Sequence, residues 1–366
     1  MRRKVLIIHY AHWEQQLGGA ELQLKYMAEA LANAGNEVYV IYLNYNNKQV
    51  KSGIVKNIPI KKIFIPSILG QSHFLYLRSL KNKIKEIAPD LIITRTFSSW
   101  AGIAAKYAHD HKIKHVHFIA SDREVNKKVK RWYKLFDMIE KAIHKNIFKI
   151  NNVILITQND FQHNAIKNRY KVLSFKATQA APLSNMSRIV KSKNTIKIVW
   201  VANFKPLKQP EKFIEIAKHF KDRKDIQFIM IGGYKNSHYE QLIEEHSYLE
   251  NIQFLGAVSN DCVNQELDST HILINTSDYE GFSNTFVQAW MREVVVLSLN
   301  SDPDNILTEQ EIGFRCESIE NMVSIISMLC SDKVQLEYMG KKSRSYAKNN
   351  HSIDRVYQSL FKQMLD

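Results

Sequence analysis

The sequence predicts an α/β protein built from two doubly wound domains, each with a parallel sheet between layers of helices. The chain has 366 residues, more than one ordinary domain contains. Short apolar segments alternate with segments of helical periodicity, which is typical of βαβ units. A polar, irregular stretch over 182–194 interrupts this alternation, which then restarts. We therefore predict an N-terminal domain over 1–185, a C-terminal domain over 186–350, and a final helix over 351–366 that packs back toward the N-terminal domain.

In the N-terminal domain, buried strands should alternate with helices whose ends are marked by glycine or proline. Gly35 follows the first helical pattern as a C-cap, and Pro89 ends the second. The last apolar segment, 155–157, is expected to form the final strand of this domain. The predicted strands are 5–10, 37–43, 90–94, 114–119 and 155–157, and the predicted helices are 21–31, 74–87 and 101–109.

The C-terminal domain repeats the alternation and ends in three helical patterns. Because ligands bind at the carboxyl ends of parallel strands, and because paired domains leave a cleft, we expect a ligand site in such a cleft. The predicted strands are 195–202, 226–231, 252–255, 271–275 and 294–299; helices should begin near Pro210, Ser237, Asp261 and Asn284 and continue at 319–329, 333–348 and 353–365.

Composition excludes several classes of protein. No run approaches 18 apolar residues, so no membrane span is expected. The apolar run after the basic N-terminus stops at Tyr10, too early for a signal peptide, and is interpreted as a buried strand. The cysteines Cys262, Cys316 and Cys330 have no metal-ligand spacing and cannot all pair. A cytoplasmic location is therefore expected.

The charge of the chain is concentrated in its first half. Residues 1–185 contain 30 Lys and Arg against 12 Asp and Glu, a balance of +18, whereas residues 186–366 contain 21 against 24, a balance of −3. Such asymmetry indicates an anionic partner for the first half. An anionic membrane surface or a lipid-diphosphate acceptor fits. Nucleic acid is not expected, because the sequence contains no recognised nucleic-acid-binding motif. The alternative explanation of this charge is that the organism uses many lysines in all its proteins.

One basic segment, 123–149, has the pattern of an amphipathic helix. It contains nine Lys and Arg against three acids. Its apolar stripe could pack on the N-terminal sheet or lie on an anionic membrane at the inner face of the plasma membrane, and both could hold. The stripe consists of Val125, Val129, Trp132, Phe136, Ile139, Ile143 and Ile147.

The segment 275–290 is the strongest indication of function. It joins an apolar strand to a helix that should start near Asn284, with a carboxylate and a glycine at the junction. Free N–H groups at such a helix start can bind phosphate, and Glu280 can accept hydrogen bonds from sugar hydroxyls. Phosphate beside sugar describes a nucleotide-sugar. An ordinary capped turn is the alternative, and it is compatible with phosphate binding.

Together these segments resemble the family 4 retaining glycosyltransferases, which have two facing Rossmann-like domains (the GT-B fold). The matching motifs, in family order along nearly the whole chain, are Gly18-Gly19-Ala20-Glu21, the segment 200–210, Phe254-Leu255-Gly256-Ala257, the segment 280–289 and the segment 298–304. The resemblance implies transfer from a UDP-, GDP- or other nucleotide-diphosphate sugar to a saccharide hydroxyl. It implies no bound metal and no other cofactor, so Asp302-Pro303-Asp304 is interpreted as a loop near the donor base or ribose.

The resemblance also assigns donor-side roles residue by residue. Glu280 would contact the transferred sugar. Gln288 occupies the position of a second family glutamate that holds the ribose; glutamine keeps an acceptor oxygen but loses the charge. The alternative is a solvated helix residue. Backbone N–H groups over the donor diphosphate would come from Gly281, Phe282, Ser283, Asn284 and Thr285.

Positive charge for the leaving diphosphate would come mainly from Lys208. The family arginine five residues earlier is replaced by Asn203, and Lys205 could supply the missing charge without the bidentate fork of arginine. Gly18 and Gly19 would let the backbone approach a diphosphate or the acceptor, unless they are plain turn glycines.

On the acceptor side the resemblance is weaker. Ser121 or Asp122 falls where many members place a histidine, and His117 is interpreted as a strand residue. Asp122 is predicted to hydrogen-bond the incoming hydroxyl. The predicted enzyme adds a sugar to an acceptor, plausibly lipid-linked, of a bacterial surface polysaccharide. Three alternatives remain: a weakly active or inactive nucleotide-sugar-binding scaffold, a nucleotide-sugar 2-epimerase of the same architecture, and a nucleic-acid binder.

Overall fold

The computed structural model describes residues 2–16, 18–45, 50–63, 69–125, 135–183, 189, 191–358 and 360–361. The chain divides into two compact units, Met1–Ala180 with Ile353–Asp366, and Ala181–Ser352. The C-terminal residues therefore belong to the N-terminal unit. There the hydroxyl of Tyr357 donates hydrogen bonds to the backbone oxygen and to Oε1 of Gln23, at 3.2 and 2.6 Å.

The N-terminal unit contains a seven-stranded parallel sheet of order β3-β2-β1-β4-β5-β6-β7. Its central strands are buried on both faces, as expected for a parallel sheet covered by helices. The strands are β1 Lys4–Ile8, β2 Glu37–Asn44, β3 Val55–Lys61, β4 Leu91–Arg95, β5 Lys114–Phe118, β6 Val153–Thr157 and β7 Ser174–Lys176, and the helices are α1 Gly19–Asn33, α2 Leu77–Ile87, α3 Ser99–Asp110, α4 Leu135–His144, α5 Asn146–Lys149 and α6 Asp160–Tyr170.

Two edge strands of this sheet were not predicted. β3 contains Pro59 and is partly exposed, and β7 has three residues, so neither shows the apolar run of a central strand. The expectation that 155–157 closes this half is wrong, because β7 pairs with β6 beyond it.

The C-terminal unit contains a six-stranded parallel sheet of order β10-β9-β8-β11-β12-β13. The edge strand β13 was not predicted, again because it has three residues. The strands are β8 Ile196–Val201, β9 Ile226–Ile231, β10 Ile252–Gly256, β11 Ile272–Asn275, β12 Val295–Ser298 and β13 Gly313–Arg315, and the helices are α7 Pro210–His219, α8 Ser237–Glu245, α9 Asn260–Asp268, α10 Asn284–Trp290, α11 Ile306–Glu309, α12 Ile319–Ser331 and α13 Lys333–His351.

The predicted fold class, two Rossmann-like α/β units with additional C-terminal helices, is confirmed by the two parallel sheets. Helices cover both faces of each sheet, and separate apolar clusters lie on the two faces. The carboxyl ends of the parallel strands therefore form one edge in each unit, where loops can present side chains.

The basic segment 123–149 differs from its predicted form. Residues 126–134, including Val129 and Trp132, lie outside the described residues. The remainder is not one helix: Asp122–Glu124 forms a 3₁₀ turn, and α4 and α5 are separated at Lys145. Val125 and Ile147 are buried as predicted.

The buried face of α4 is polar rather than apolar. Asp137, Glu140 and His144 are buried, whereas Leu135 and Met138 are 64% and 59% exposed. The reason is hydrogen bonding, because Glu140 accepts from the N–H groups of Phe74 and Ser99, both at 2.7 Å. Ser99 is the first residue of α3, whose N–H groups lack partners within their own helix. Among the described helices, none is long and apolar enough to cross a bilayer.

Candidate active site

Two adjacent strands of the C-terminal unit bring the predicted donor residues together. β8 and β11 are neighbours in the sheet, so the loops that follow them meet at its carboxyl edge. The N–H of Asp278 donates to the carbonyl of Leu207 at 3.0 Å, and the Thr276 hydroxyl donates to the carbonyl of Lys208 at 2.7 Å. The buried indole of Trp200 donates to the same hydroxyl at 2.9 Å. These bonds fix the two loops to each other.

Glu280 and Lys208 form an ion pair at this edge. The ammonium group of Lys208 donates to Oε1 of Glu280. The same oxygen accepts from Ser277 Oγ at 2.9 Å and from Asn275 Nδ2 at 3.3 Å. The two side chains are 22% and 15% exposed, so they are accessible to a ligand yet partly shielded from solvent. The carboxylate is therefore held in place by three donors from two loops.

The turn after Glu280 leads directly into α10. Ser283 occupies the N-cap position in an extended conformation, and its Oγ is hydrogen-bonded to Thr285 Oγ1 at 2.8 Å. The Phe282 side chain is 6% exposed and packs near Trp290 and His351. Phe282 could therefore contact a ligand only through its backbone. Gly281 and Asn284 complete the turn, which places the predicted phosphate-binding segment beside the ion pair in sequence.

Gln288 lies in the middle of α10 and is 2% exposed. Its amide nitrogen donates to Asn260 Oδ1 and Asn264 Oδ1, both at 2.9 Å. Both asparagines belong to α9, so this amide joins α9 to α10. The nitrogen that distinguishes glutamine from the family glutamate is thus used inside the unit, which the sequence did not indicate.

Asn203 and Lys205 lie on the loop after β8, and both are exposed. Between them, buried Phe204 donates its N–H to the carbonyl of Gly233 at 2.9 Å. Lys205 then occupies the N-cap position of the 3₁₀ turn that contains Lys208. The three residues thus share one loop, but only Lys208 is paired with Glu280.

In the N-terminal unit, Gly18 and Gly19 open α1, with Gly18 as an extended N-cap. A Cβ atom at Gly18 would lie 2.6 Å from Oε2 of Glu21, the end of a flexible side chain that can shift, so packing alone does not require a glycine there. Glu21 is buried, and its Oε1 lies 3.9 Å from Nε2 of His9.

Asp122 has a structural contact that the sequence did not reveal. Its Oδ1 accepts from Gln162 Nε2 at 2.8 Å and from Asn159 Nδ2 at 3.3 Å. Asn159 is also the N-cap of α6, so Asp122 joins the 3₁₀ turn after β5 to the start of α6. Its predicted contact with an acceptor hydroxyl would have to coexist with these bonds.

Asp302 serves as a backbone cap. Its carboxylate accepts from the N–H groups of Leu307 and Thr308 at 2.8 and 3.1 Å, and from the Thr308 hydroxyl at 2.8 Å. Its neighbour Asp304 adopts positive φ. Through these bonds Asp302 stabilises the loop before α11, and the segment 302–304 was predicted to be a loop.

Sequence reasoning missed the side chains that hold Glu280. Asn275, Thr276 and Ser277 are buried polar residues at the end of an apolar strand. That position was the available signal, because buried polar groups at a strand end need partners. Thr276 is bonded to Trp200 and to Lys208, which lie 76 and 68 positions away along the chain, and no local pattern reveals these partners.

Two family models together match most of this chain. The model described as "Glycosyl transferases group 1" matches residues 184–346, and the model described as "Glycosyltransferase Family 4" matches residues 17–159. A Klebsiella pneumoniae protein named "Uncharacterized 42.6 kDa protein in cps region" is 24% identical over 327 residues, which cover 80% of this chain and 84% of that protein.

Solved structures share the fold at low sequence identity. The sucrose-phosphate synthase of Thermosynechococcus elongatus has a TM-score of 0.76 and 15% identity over 100% of this chain and 99% of that one. Anabaena Alr3699/HepE in complex with UDP and glucose has a TM-score of 0.74 and 13% identity over 100% of both chains. WaaG, a glycosyltransferase involved in lipopolysaccharide biosynthesis, has a TM-score of 0.74 and 15% identity over 98% and 99%.

Proposed function

We propose, from the premise that this chain belongs to the group 1, Family 4 glycosyltransferases, that it is a retaining enzyme. It moves a sugar from a nucleotide-diphosphate sugar to a hydroxyl of a saccharide acceptor. Family membership follows from two models that match 17–159 and 184–346. The observation on which the proposal depends most is the Lys208–Glu280 pair at the start of the turn into α10.

The donor is proposed to bind to the C-terminal unit. Glu280, held by Asn275 and Ser277, orients the sugar by accepting hydrogen bonds from its hydroxyls. Backbone N–H groups of 281–285 face the diphosphate at the start of α10. A UDP-sugar is the first donor to test, because the HepE structures contain UDP, UDP with glucose, or UDP-glucose.

Catalysis is proposed to depend on stabilising the leaving group. When the bond between the anomeric carbon and the diphosphate oxygen breaks, negative charge grows on the diphosphate. The Lys208 ammonium group has three donors, so it can keep its bond to Glu280 while it donates to a phosphate oxygen. Such preorganised charge is worth more in a partly dry site than in water. The acceptor hydroxyl passes its proton to the departing diphosphate oxygen as its own oxygen bonds to the anomeric carbon on the face that the diphosphate leaves. No metal is needed at the donor.

The acceptor is proposed to bind to the N-terminal unit, whose half of the sequence has a balance of +18. A lipid-linked saccharide at the inner face of an anionic membrane fits this charge, because each basic residue near such a surface contributes about 1 kcal/mol. The involvement of WaaG in lipopolysaccharide biosynthesis and the cps region in the name of the Klebsiella protein support a surface polysaccharide product.

A second candidate is a nucleotide-sugar-binding scaffold with little or no activity. It is favoured by two observations, the neutral Asn203 at the family arginine position and the Gln288 amide that is engaged with α9. Both reduce the charge offered to a donor.

Incubation with radiolabelled UDP- and GDP-sugars, with and without lipid-linked acceptors, separates the two candidates. The proposed enzyme transfers or hydrolyses at least one donor, and its activity survives when EDTA is added at assay. Donor binding without transfer or hydrolysis would instead identify a scaffold. Cosedimentation with anionic and with neutral vesicles tests the membrane partner.

A further inference from the structure

Three buried side chains of the N-terminal unit converge outside the donor site. They are His117 at the end of β5, Glu124 in the 3₁₀ turn that follows, and His144 at the end of α4. One ligand atom from each lies within 4.8 Å of the other two. His117 Nε2 and Glu124 Oε2 are 3.9 Å apart, and these two side chains are 0% and 5% exposed.

Each histidine is oriented by a hydrogen bond on its other nitrogen. His144 Nδ1 lies 3.1 Å from the carbonyl oxygen of Ser98 and 3.4 Å from the N–H of the same residue, and the shorter contact is a hydrogen bond when Nδ1 bears the proton. His117 Nδ1 lies 2.8 Å from Thr94 Oγ1, a hydroxyl oxygen that accepts when this Nδ1 bears the proton. With both protons on Nδ1, each Nε2 has a free lone pair directed into the cluster, as in the outer shell of metal-binding histidines.

Glu124 is held in the same manner. Its Oε1 accepts from the N–H groups of Ala120 and Ser121 at 2.8 and 3.0 Å. Its Oε2 faces the two imidazoles. Three lone pairs, from His117 Nε2, Glu124 Oε2 and His144 Nε2, therefore meet in one buried space.

Among the residues that the structure describes, none is a hydrogen-bond partner of these three atoms. Buried polar atoms are normally paired, and three unpaired acceptors that face one another are rare. No arrangement of acceptors alone can satisfy them; a shared proton, a water molecule or a cation is required.

We propose that His117, Glu124 and His144 bind one Zn²⁺ ion. Two imidazole nitrogens and one carboxylate form a known zinc ligand set that leaves a fourth tetrahedral position open. An ion at the centre of the three atoms would lie no more than about 2.8 Å from each, given their mutual distances. Zinc requires about 2.0–2.2 Å, so side-chain adjustments of a few tenths of an ångström complete the site.

The surrounding charges are compatible with a cation. Burial lowers the pKa of His117 and His144, which favours neutral imidazoles, and it raises the pKa of Glu124, which opposes the carboxylate unless a cation is bound. Buried Arg95 lowers the pKa of His117 further and opposes a cation, whereas Glu124 and Glu140 act on His144 in the opposite direction. The bound ion would tie β5, the 3₁₀ turn and α4 together.

This site departs from the expectation that the protein binds no metal, and it does not depend on the proposed function. The donor chemistry lies in the C-terminal unit, so zinc binding and sugar transfer can succeed or fail independently. The inference concerns structure in the N-terminal unit, with stability and metal content as readouts.

The test uses the full chain, purified through a cleavable tag without histidines, then stripped with a chelator and dialysed. Titration with Zn²⁺ should show one equivalent bound with a Kd below about 10 µM, and a rise in Tm of roughly 5 °C at a hundredfold excess over Kd. Co²⁺ should give the visible spectrum of a four- or five-coordinate site with nitrogen ligands. Zinc binding weaker than 10 µM, or no Tm shift, overturns the proposal.

Variants locate the ion. Glu124→Gln keeps an oxygen for the Ala120 and Ser121 N–H groups but removes the charge, and it should weaken Zn²⁺ binding at least tenfold, as should His144→Asn. His12→Gln is the matched control, because His12 is equally buried in the same unit but its Nε2 lies 3.0 Å from Asn57 Oδ1, away from the cluster. Equal affinity in Glu124→Gln and wild type would place the zinc elsewhere and overturn the assignment, even if His144→Asn fails to fold.

Discussion

Lys208 donates a hydrogen bond to Glu280, although the two residues are 72 positions apart in the chain. The pair forms because β8 and β11 are adjacent, so the loops after them are hydrogen-bonded to each other. Partly exposed ion pairs contribute at most about 1 kcal/mol to stability. Stability therefore does not explain why a lysine and a glutamate face each other at this edge, whereas the proposed donor binding and leaving-group stabilisation would.

Glu280→Ala should lower turnover at least a hundredfold, because the sugar loses its orienting acceptor. The fold should remain intact, since the side chain is partly exposed and its neighbours can reach water. Initial rates with the active donor, together with Tm, measure the two effects. The exposed Glu309→Ala serves as the control and should leave both unchanged. An unaltered rate in Glu280→Ala would refute its role.

Lys208→Ala should reduce kcat by at least tenfold and change nucleotide affinity less, because charge on the diphosphate is greatest in the transition state. Rates and nucleotide Kd from calorimetry separate these effects. Lys205→Ala, on the same loop but exposed, is the matched comparison and should have the smaller effect. If Lys208→Ala weakens ground-state nucleotide binding as much as it lowers kcat, the leaving-group role is wrong.

Gln288→Glu should bind nucleotide severalfold more tightly if this residue accepts hydrogen bonds from the ribose, because a carboxylate is the stronger acceptor. Asn260 and Asn264 can turn their NH₂ groups toward the new oxygen, so the contact with α9 can be kept. Calorimetry with the nucleotide measures the change, and the exposed Gln310→Glu controls for added charge. Unchanged affinity would leave Gln288 with its contact to α9 only.

Gly232→Ala should destabilise the C-terminal unit by at least about 2 kcal/mol, because the new Cβ would lie 1.7 Å from the carbonyl oxygen of Ala202. The strand end that leads to Asn203 and Lys205 would have to move. Gly233→Ala is the matched control, with its Cβ 3.1 Å from that of Ala257, and should cost less than about 1 kcal/mol. Denaturant unfolding measures both; equal losses would contradict the close approach at Gly232.

Acid should unfold the N-terminal unit first. In the N-terminal unit, burial lowers the pKa of His12 and His144 to about 4 and of His115 and His117 to about 3. In the C-terminal unit, burial lowers the pKa of His271 in the same way, also to about 4. Between pH 6.5 and these values the unfolded state binds more protons, so stability falls as pH falls. At pH 5 each such histidine lowers the free energy of unfolding by about 2 kcal/mol relative to neutral pH.

Hydrogen exchange followed by mass spectrometry at pH 7 and pH 5 measures this difference unit by unit. Protection should fall first in β4, β5 and the helices that cover them. If the C-terminal unit lost protection at the same pH or earlier, buried neutral histidines would not control acid stability.

The residue pattern alone predicted the two-unit α/β fold, most central strands and the position of the Glu280 turn. It could do so because fully buried strands are continuous apolar runs, and because helix starts and strand ends have local residue signals. The short edge strands β3, β7 and β13 lacked that signal.

The side chains that meet are known from the folded chain alone. Folding pairs Lys208 with Glu280, buries the polar face of α4, bonds Asp122 to Gln162 of α6 and brings His117, Glu124 and His144 together. Each of these contacts joins segments that are distant in sequence or belong to different elements. Strand order and helix rotation set their partners, and neither is encoded in a local pattern of residues.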